Sequence, residues 1–153
     1  MNKVSFYSIL ACIFLLNTAS MCSSDDNSSS SSNPTPVINT VTQGTWRVTY
    51  YFDTDSDETS DFSGYNFTFG ASNVLTATNG TNTFTGSWSV TTDNSNNDNP
   101  SSDLDFNILF ASPANFEELS DDWDVVSRTD TKIQLIDVSG GNGGTDYLTF
   151  EKN

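Results

Sequence analysis

The sequence predicts an all-β domain of about eight short antiparallel strands with one helical interruption, and three observations carry that prediction. The apolar set is dominated by aromatic residues, with eleven Phe, five Tyr and three Trp standing among Thr, Val and Ile, and these residue types suit a pleated, half-buried surface. From Val41 onward, apolar positions recur every second residue, the period of a strand with one face buried. Clusters of Asn, Asp, Ser and Gly separate these segments, as turns do between short strands.

The elements follow in order. Thr45 to Phe52 places Trp46, Val48, Tyr50 and Phe52 on one face, with Thr45, Arg47, Thr49 and Tyr51 on the other. Tyr65, Phe67 and Phe69 alternate with Asn66 and Thr68 in a second strand. A strand at Val74 to Thr78 runs into Asn79-Gly80, a hairpin signal because both residues tolerate positive φ. Its return strand carries Phe84, Gly86, Trp88 and Val90 on one side. After a polar loop from Thr92 to Ser102, Leu104, Phe106, Ile108 and Phe110 alternate with acidic and amide residues.

Ser112-Pro113 is a helix-start pattern, Ser as cap and Pro in the first turn, with Phe116 and Leu119 giving a short apolar edge. Trp123 and Val125 open the next strand, Thr129-Asp130 turn it, and Lys132 to Val138 return. The glycine run Gly140 to Gly144 is a flexible turn before the closing strand, where Leu148 and Phe150 share a face.

The first 36 residues have a different character. Lys3 precedes a mostly apolar run, Val4 to Leu16, shorter than the roughly 20 residues a lasting membrane span needs and matching a signal-peptide core. Small residues Ala19 and Ser20, then Met21, precede Cys22, and Ser23-Ser24-Asp25-Asp26 follow it. This pattern resembles a bacterial lipoprotein signal, and Ser and Asp directly after the cysteine resemble the surface-export signal of Bacteroidetes lipoproteins. The resemblance implies lipidation at Cys22 and an outer-membrane, surface-exposed address; cleavage near Ala19 would instead give a secreted or periplasmic protein. The expected division is residues 1–21 as signal peptide, 22–36 as a Ser-rich tether and 37–153 as the folded domain.

Composition removes several function classes. Five Lys and Arg against twenty Asp and Glu give a formal charge of −15, whose field repels phosphate backbones and so argues against nucleic acid as a partner. There is no His, and Cys12 and Cys22 both lie in the export region. The domain therefore lacks the commonest general base and metal ligand, and has no thiol for catalysis or a disulfide. Neither a cofactor nor catalysis is expected. Asp53 to Glu58 alternates carboxylates as a calcium loop does, but Glu58 stands where the sixth-position glycine would be, so a solvated acidic loop is the simpler reading and no metal site is assigned.

Gly44-Thr45-Trp46 at the start of the first strand recurs as Gly86-Ser87-Trp88, and Leu119 to Trp123 and the closing Leu148-Thr149-Phe150-Glu151-Lys152 complete a set of motifs. Together they resemble the lipocalin-like domains of Bacteroidetes lipoproteins, over nearly all of Val41 to Asn153. That resemblance implies an up-and-down barrel, which at eight strands is either just filled by its own side chains or able to hold one small ligand. The rings expected to converge inside are Tyr50, Phe67, Phe69, Phe84, Trp88 and Phe106, together with Ile108. They serve either as core or as the lining of a site for a small hydrophobic molecule. The functional expectation is a lipid-anchored, monomeric binding protein of the cell envelope; the alternative is a packed barrel that binds protein or glycan through its loops and outer rings such as Tyr51 and Tyr147.

Overall fold

The structure, a computed structural model, describes residues 33–92, 104–139 and 143–153. The expected signal peptide, Cys22 and all but the end of the tether lie outside these residues, as do most of the loop from Thr92 to Ser102 and part of the glycine run.

Nine strands form one sheet: β1 (Trp46–Asp53), β2 (Ser56–Asp57), β3 (Asn66–Phe69), β4 (Val74–Thr78), β5 (Thr83–Thr92), β6 (Leu104–Leu109), β7 (Asp121–Arg128), β8 (Lys132–Val138) and β9 (Thr145–Lys152). From β3 to β9 each strand pairs antiparallel with the next, and β9 returns to pair with β1, from Trp46 opposite Lys152 to Phe52 opposite Tyr147. This closes an up-and-down barrel of eight strands, with the two-residue β2 hairpinned against the end of β1. Closure leaves no long unpaired edge.

One seam is thin. β1 and β3 meet only at Trp46 opposite Phe67. Beyond that point the segment between β1 and β3 closes the gap. The Tyr51 amide donates to Thr59 Oγ1 at 2.8 Å, the Glu58 amide donates to the Tyr51 carbonyl, and a 3-10 turn at Thr59–Phe62 buries Phe62.

The interior is filled with rings. Trp46, Phe67, Phe106 and Phe116 expose none of their surface, and Phe69 stands edge-on to Trp88, Phe106 and Phe150 with centroids 5.4–5.5 Å apart. Such edge-to-face pairs place the positive rim of one ring against the negative face of the next.

Two short helices close the ends. Helix α1 (Thr35–Val41) was not anticipated; it begins inside the segment read as tether and buries Val37, Thr40 and Val41. Pro36 in its first turn suits a helix start. Helix α2 (Ala114–Glu117) sits where the Ser-Pro signal placed it, but Ser112 makes no capping bond. Pro113 is the residue before the helix, extended at ψ 174°, and its carbonyl accepts from Phe116 and Glu117. Phe116 corks this end, touching the rings of Phe62, Tyr65, Phe67, Phe84 and Phe110 at 4.8–6.0 Å.

The two Gly-x-Trp motifs place their glycines for different reasons. Gly44 adopts φ +83° in the turn that leads from α1 into β1. At Gly86 a Cβ would collide with the Leu109 carbonyl and the Phe110 ring, so only glycine lets β5 lie this close to β6.

The facing of β1 corrects the sequence expectation. Its register against β9 shifts between Val48 and Tyr50. This bulge reverses every side chain beyond it, because strand facing has period two. Tyr51 therefore points inward and is 1% exposed, while Tyr50, expected inside, is 40% exposed and lies outside with Phe52. The Tyr51 hydroxyl donates to the Glu118 carbonyl at 2.8 Å, and its ring stands edge-on to Phe62 and Trp123. Substitutions measure this directly: Tyr51→Ala should cost about 3–5 kcal/mol as a buried ring deletion, and Tyr50→Ala less than about 1 kcal/mol as a surface change, read from urea unfolding midpoints.

Candidate functional site

The seven residues that sequence reasoning assigned to a ligand divide three ways. Phe67, Phe69 and Phe106 point inward and are sealed against one another and Phe150. Phe84 is half-buried at the α2 end, packed on Tyr65 and Phe116. Tyr50 is outside. Trp88 and Ile108 belong to the core but also reach a hollow on the outer side of the barrel wall. A ring that exposes nothing, as Phe67 and Phe106 do, leaves no surface on which even a water molecule can sit.

That hollow has a volume of about 500 Å³ and lies over β5, β6 and the start of β7, within the range of small-ligand sites. The local sequence explains it. Ser87 and Ser89 are the outward residues of β5, and they pair across the sheet with Leu109 and Asn107 of β6. Two small hydroxylated side chains between larger neighbours make a floor. Asn73, at φ +63° at the end of the 3-10 turn Ala71–Asn73, forms one wall, and Ser120, Asp121 and Asp122 form the other. A second hollow of about 260 Å³ shares Asn73, Trp88 and Ser89 with the first and extends the trough to Ile38 of α1 and to Thr42 just after that helix.

Trp88 is fixed at the back of this trough because its indole Nε1 donates to the Gly70 carbonyl at 3.0 Å. Asn107 donates to Thr91 Oγ1 at 3.1 Å. The remaining lining is hydroxyl, amide and carboxylate, with Leu109 as an exposed apolar edge.

Asp121 and Asp122 are the most unusual groups in the trough. Partial burial, and then a hydrogen bond from Asp122, push the Asp121 carboxyl up to about 6, with Asp137 adding repulsion. The Asp122 amide donates to Asp121 Oδ1 at 2.9 Å. Sequence neighbours whose backbone and side chain are joined this closely do not face each other across a substrate, as paired glycosidase acids about 5–9.5 Å apart do. A perturbed carboxyl in a hollow is a marker of a functional site.

The acidic segment Asp53 to Glu58 is a tight hairpin with internal partners. Thr54 donates from its backbone amide to Asp146 Oδ1 at 2.6 Å, and the Thr59 amide donates to Asp57 Oδ1 at 3.1 Å. No group of three or more metal-binding side chains occurs among the described residues.

Sequence reasoning missed the trough because its residues are small and polar, the ordinary composition of an outward strand face. The one signal was the adjacent Asp121-Asp122 pair at the start of a strand.

Neither a scan against protein families nor a search of curated proteins returns a match. Among solved structures, the chain is similar to a DUF4847 family protein from Bacteroides vulgatus ATCC 8482, with 17% identity and a TM-score of 0.47, over 76% of this chain and 97% of that one.

The state of Asp121 has a stability consequence. Its folded value is raised above the usual carboxylate value, so the folded protein binds this proton more tightly than the unfolded chain, and stability from this group is lost as pH rises between about 4 and 6. Asp121→Asn, which keeps the Oδ1 acceptor, should raise stability at pH 7 by about 1 kcal/mol once solvent screening of a half-exposed group is allowed for. The advantage over wild type should shrink toward pH 4 in thermal melts.

Proposed function

We propose that this protein is a lipid-anchored, non-catalytic binding protein of the cell envelope whose barrel is a packed support and whose ligand lies outside, in the trough over β5 to β7. The observation that carries this reading is the pairing of a ring-filled interior with an outer hollow of about 500 Å³ lined by Ser, Asn and Asp side chains. Such a lining offers hydrogen-bond donors and acceptors at fixed spacing beside one apolar edge, which suits a hydroxyl-rich ligand such as a sugar unit of a glycan. An apolar ligand inside the barrel, the other reading the sequence allowed, would have to displace Phe67, Phe69 and Phe106 from their mutual contacts.

Titration with neutral oligosaccharides tests the proposal. Ser87→Tyr, which fills the floor of the trough, should abolish binding while leaving the melting temperature unchanged. Asp122→Ala should weaken it about three- to tenfold, the loss of one or two hydrogen bonds. Quenching of the buried indoles by a fluorescent fatty acid, with no response to any glycan, would instead restore the inner-ligand reading.

The anchor is a separate proposal resting on Cys22 and the residues around it. A multiply acylated cysteine holds a protein stably at a bilayer, at about 0.8 kcal/mol per buried methylene. Cells fed an alkyne-tagged fatty acid should label the wild-type protein. Cys22→Ser should carry no label and leave the membrane fraction.

A further inference from the structure

A second surface lies on the opposite side of the barrel, four strands round from β6. Across β7, β8, β9, β1 and β2 the strand registers place Asp124, Ile136, Tyr147, Phe52 and Asp57 in one outward-facing row. Apolar side chains occupy the middle of this row and carboxylates stand at its flanks. Tyr50 adds a third ring, with its centroid 6.3 Å from Phe52 at an interplanar angle of 15° and 6.5 Å from Tyr147. Tyr50 and Tyr147 are 40% and 41% exposed, and Val138, paired with Thr145 two residues before Tyr147, is 51% exposed. The β1 bulge creates this platform, because without it Tyr50 and Phe52 would be core.

Charge is sorted along the barrel axis around the platform. All four cations among the described residues, Arg47, Arg128, Lys132 and Lys152, sit at the α1 end. Arg47 and Lys132 are each 3.6 Å from Glu151, Arg128 donates to Thr40 of α1, and Lys152 lies over the Trp46 ring. At the other end Asp53, Glu58, Asp61, Glu118 and Asp146 crowd one another. Their mutual repulsion adds to burial in holding the Glu118 carboxyl and the Tyr51 phenol above their usual values. Asp57, beside Phe52, is held ionised by hydrogen bonds from Thr59. This end carries concentrated negative charge with no compensating cation from the described chain.

We propose that the Tyr50–Phe52–Tyr147 platform is a docking surface for a cationic polypeptide segment, with arginine or lysine side chains lying on the rings and reaching the flanking carboxylates. Charge complementarity selects this occupant. A guanidinium is planar, so it stacks on an exposed ring and presents its N–H fork to a carboxylate at the same time. A second copy paired symmetrically would bring another acidic end against this one, and a copy paired head to tail would offer cations already engaged by Glu151, Thr40 and the Trp46 ring. A neutral glycan would use the rings but bring no charge to meet the acidic end around Asp53, Glu58 and Asp146.

Fluorescein-labelled octa-arginine, titrated by anisotropy against the full chain in detergent micelles, tests the assignment. Binding is expected, and Tyr50→Ser combined with Tyr147→Ser should weaken it about tenfold. A control pair that removes exposed apolar groups elsewhere, Leu109→Ser with Val126→Ser, should leave it unchanged. Asp57→Asn, which keeps the acceptor for the Thr59 amide, should weaken binding and reduce its salt dependence. The proposal is overturned by absence of binding, or by equal affinity in the tyrosine variant, which would mean diffuse charge alone. It is also overturned if chitohexaose binds the platform and octa-arginine does not compete. Since all substitutions but the control lie away from the trough, loss of glycan binding there and loss of peptide binding here are separable.

Discussion

The fold depends on a hydrogen bond made three times by the same chemical group. Each tryptophan is rooted in the barrel wall and donates its indole N–H to a backbone carbonyl of a segment outside the sheet. Trp46 reaches Val41 at the end of α1, Trp88 reaches Gly70 before a 3-10 turn, and Trp123 reaches Leu119 after α2. A carbonyl at the end of a helix has no partner within that helix, and an indole N–H carried into an apolar core needs an acceptor. Each side resolves the other's deficit. The same bonds pin the closing segments onto the barrel, which is how α1 and α2 become its two lids.

Filling the barrel with rings has a functional corollary. Side chains that seal against one another leave the wall as the place where the molecule can meet others, and two features shape that wall. Small residues on β5 lower it into a trough, and a single extra residue in β1 turns two rings outward onto the opposite side. The first is set by the short side chains of Ser87 and Ser89 and the second by the register shift after Val48. The electrostatics follow the chain direction rather than the pocket, because the cationic residues fall at the strand ends nearest α1 and the acidic loops join strands at the far end.

Most of the fold was legible in the sequence. Every strand that carries a clear alternation, from Trp46 to Phe150, is present close to its expected bounds, because period two is enforced wherever one face is buried. The barrel that the motifs implied is also there, closed by β9 against β1. The bulge was not legible. Arg47-Val48-Thr49-Tyr50-Tyr51-Phe52 alternates acceptably in either register, with a tyrosine available for the core in each, and only pairing with a distant strand chooses between them. Helix α1 was obscured by the serine tract before it, since Val37, Ile38 and Val41 give one apolar edge too short to stand out from a linker. The candidate sites were the least legible, because a trough of Ser and Asn differs from an ordinary solvated strand only when its neighbours are known.

The thin seam between β1 and β3 sets where this barrel yields. Seven of its eight junctions are ladders of backbone bonds that part only together, whereas this one is stitched by the Thr59 hydroxyl and one short turn beyond a single residue pair. Thermal breathing concentrates along such a line. The cylinder thus has a built-in parting line, and the small loop that bridges it, rather than any strand, governs how readily the wall opens.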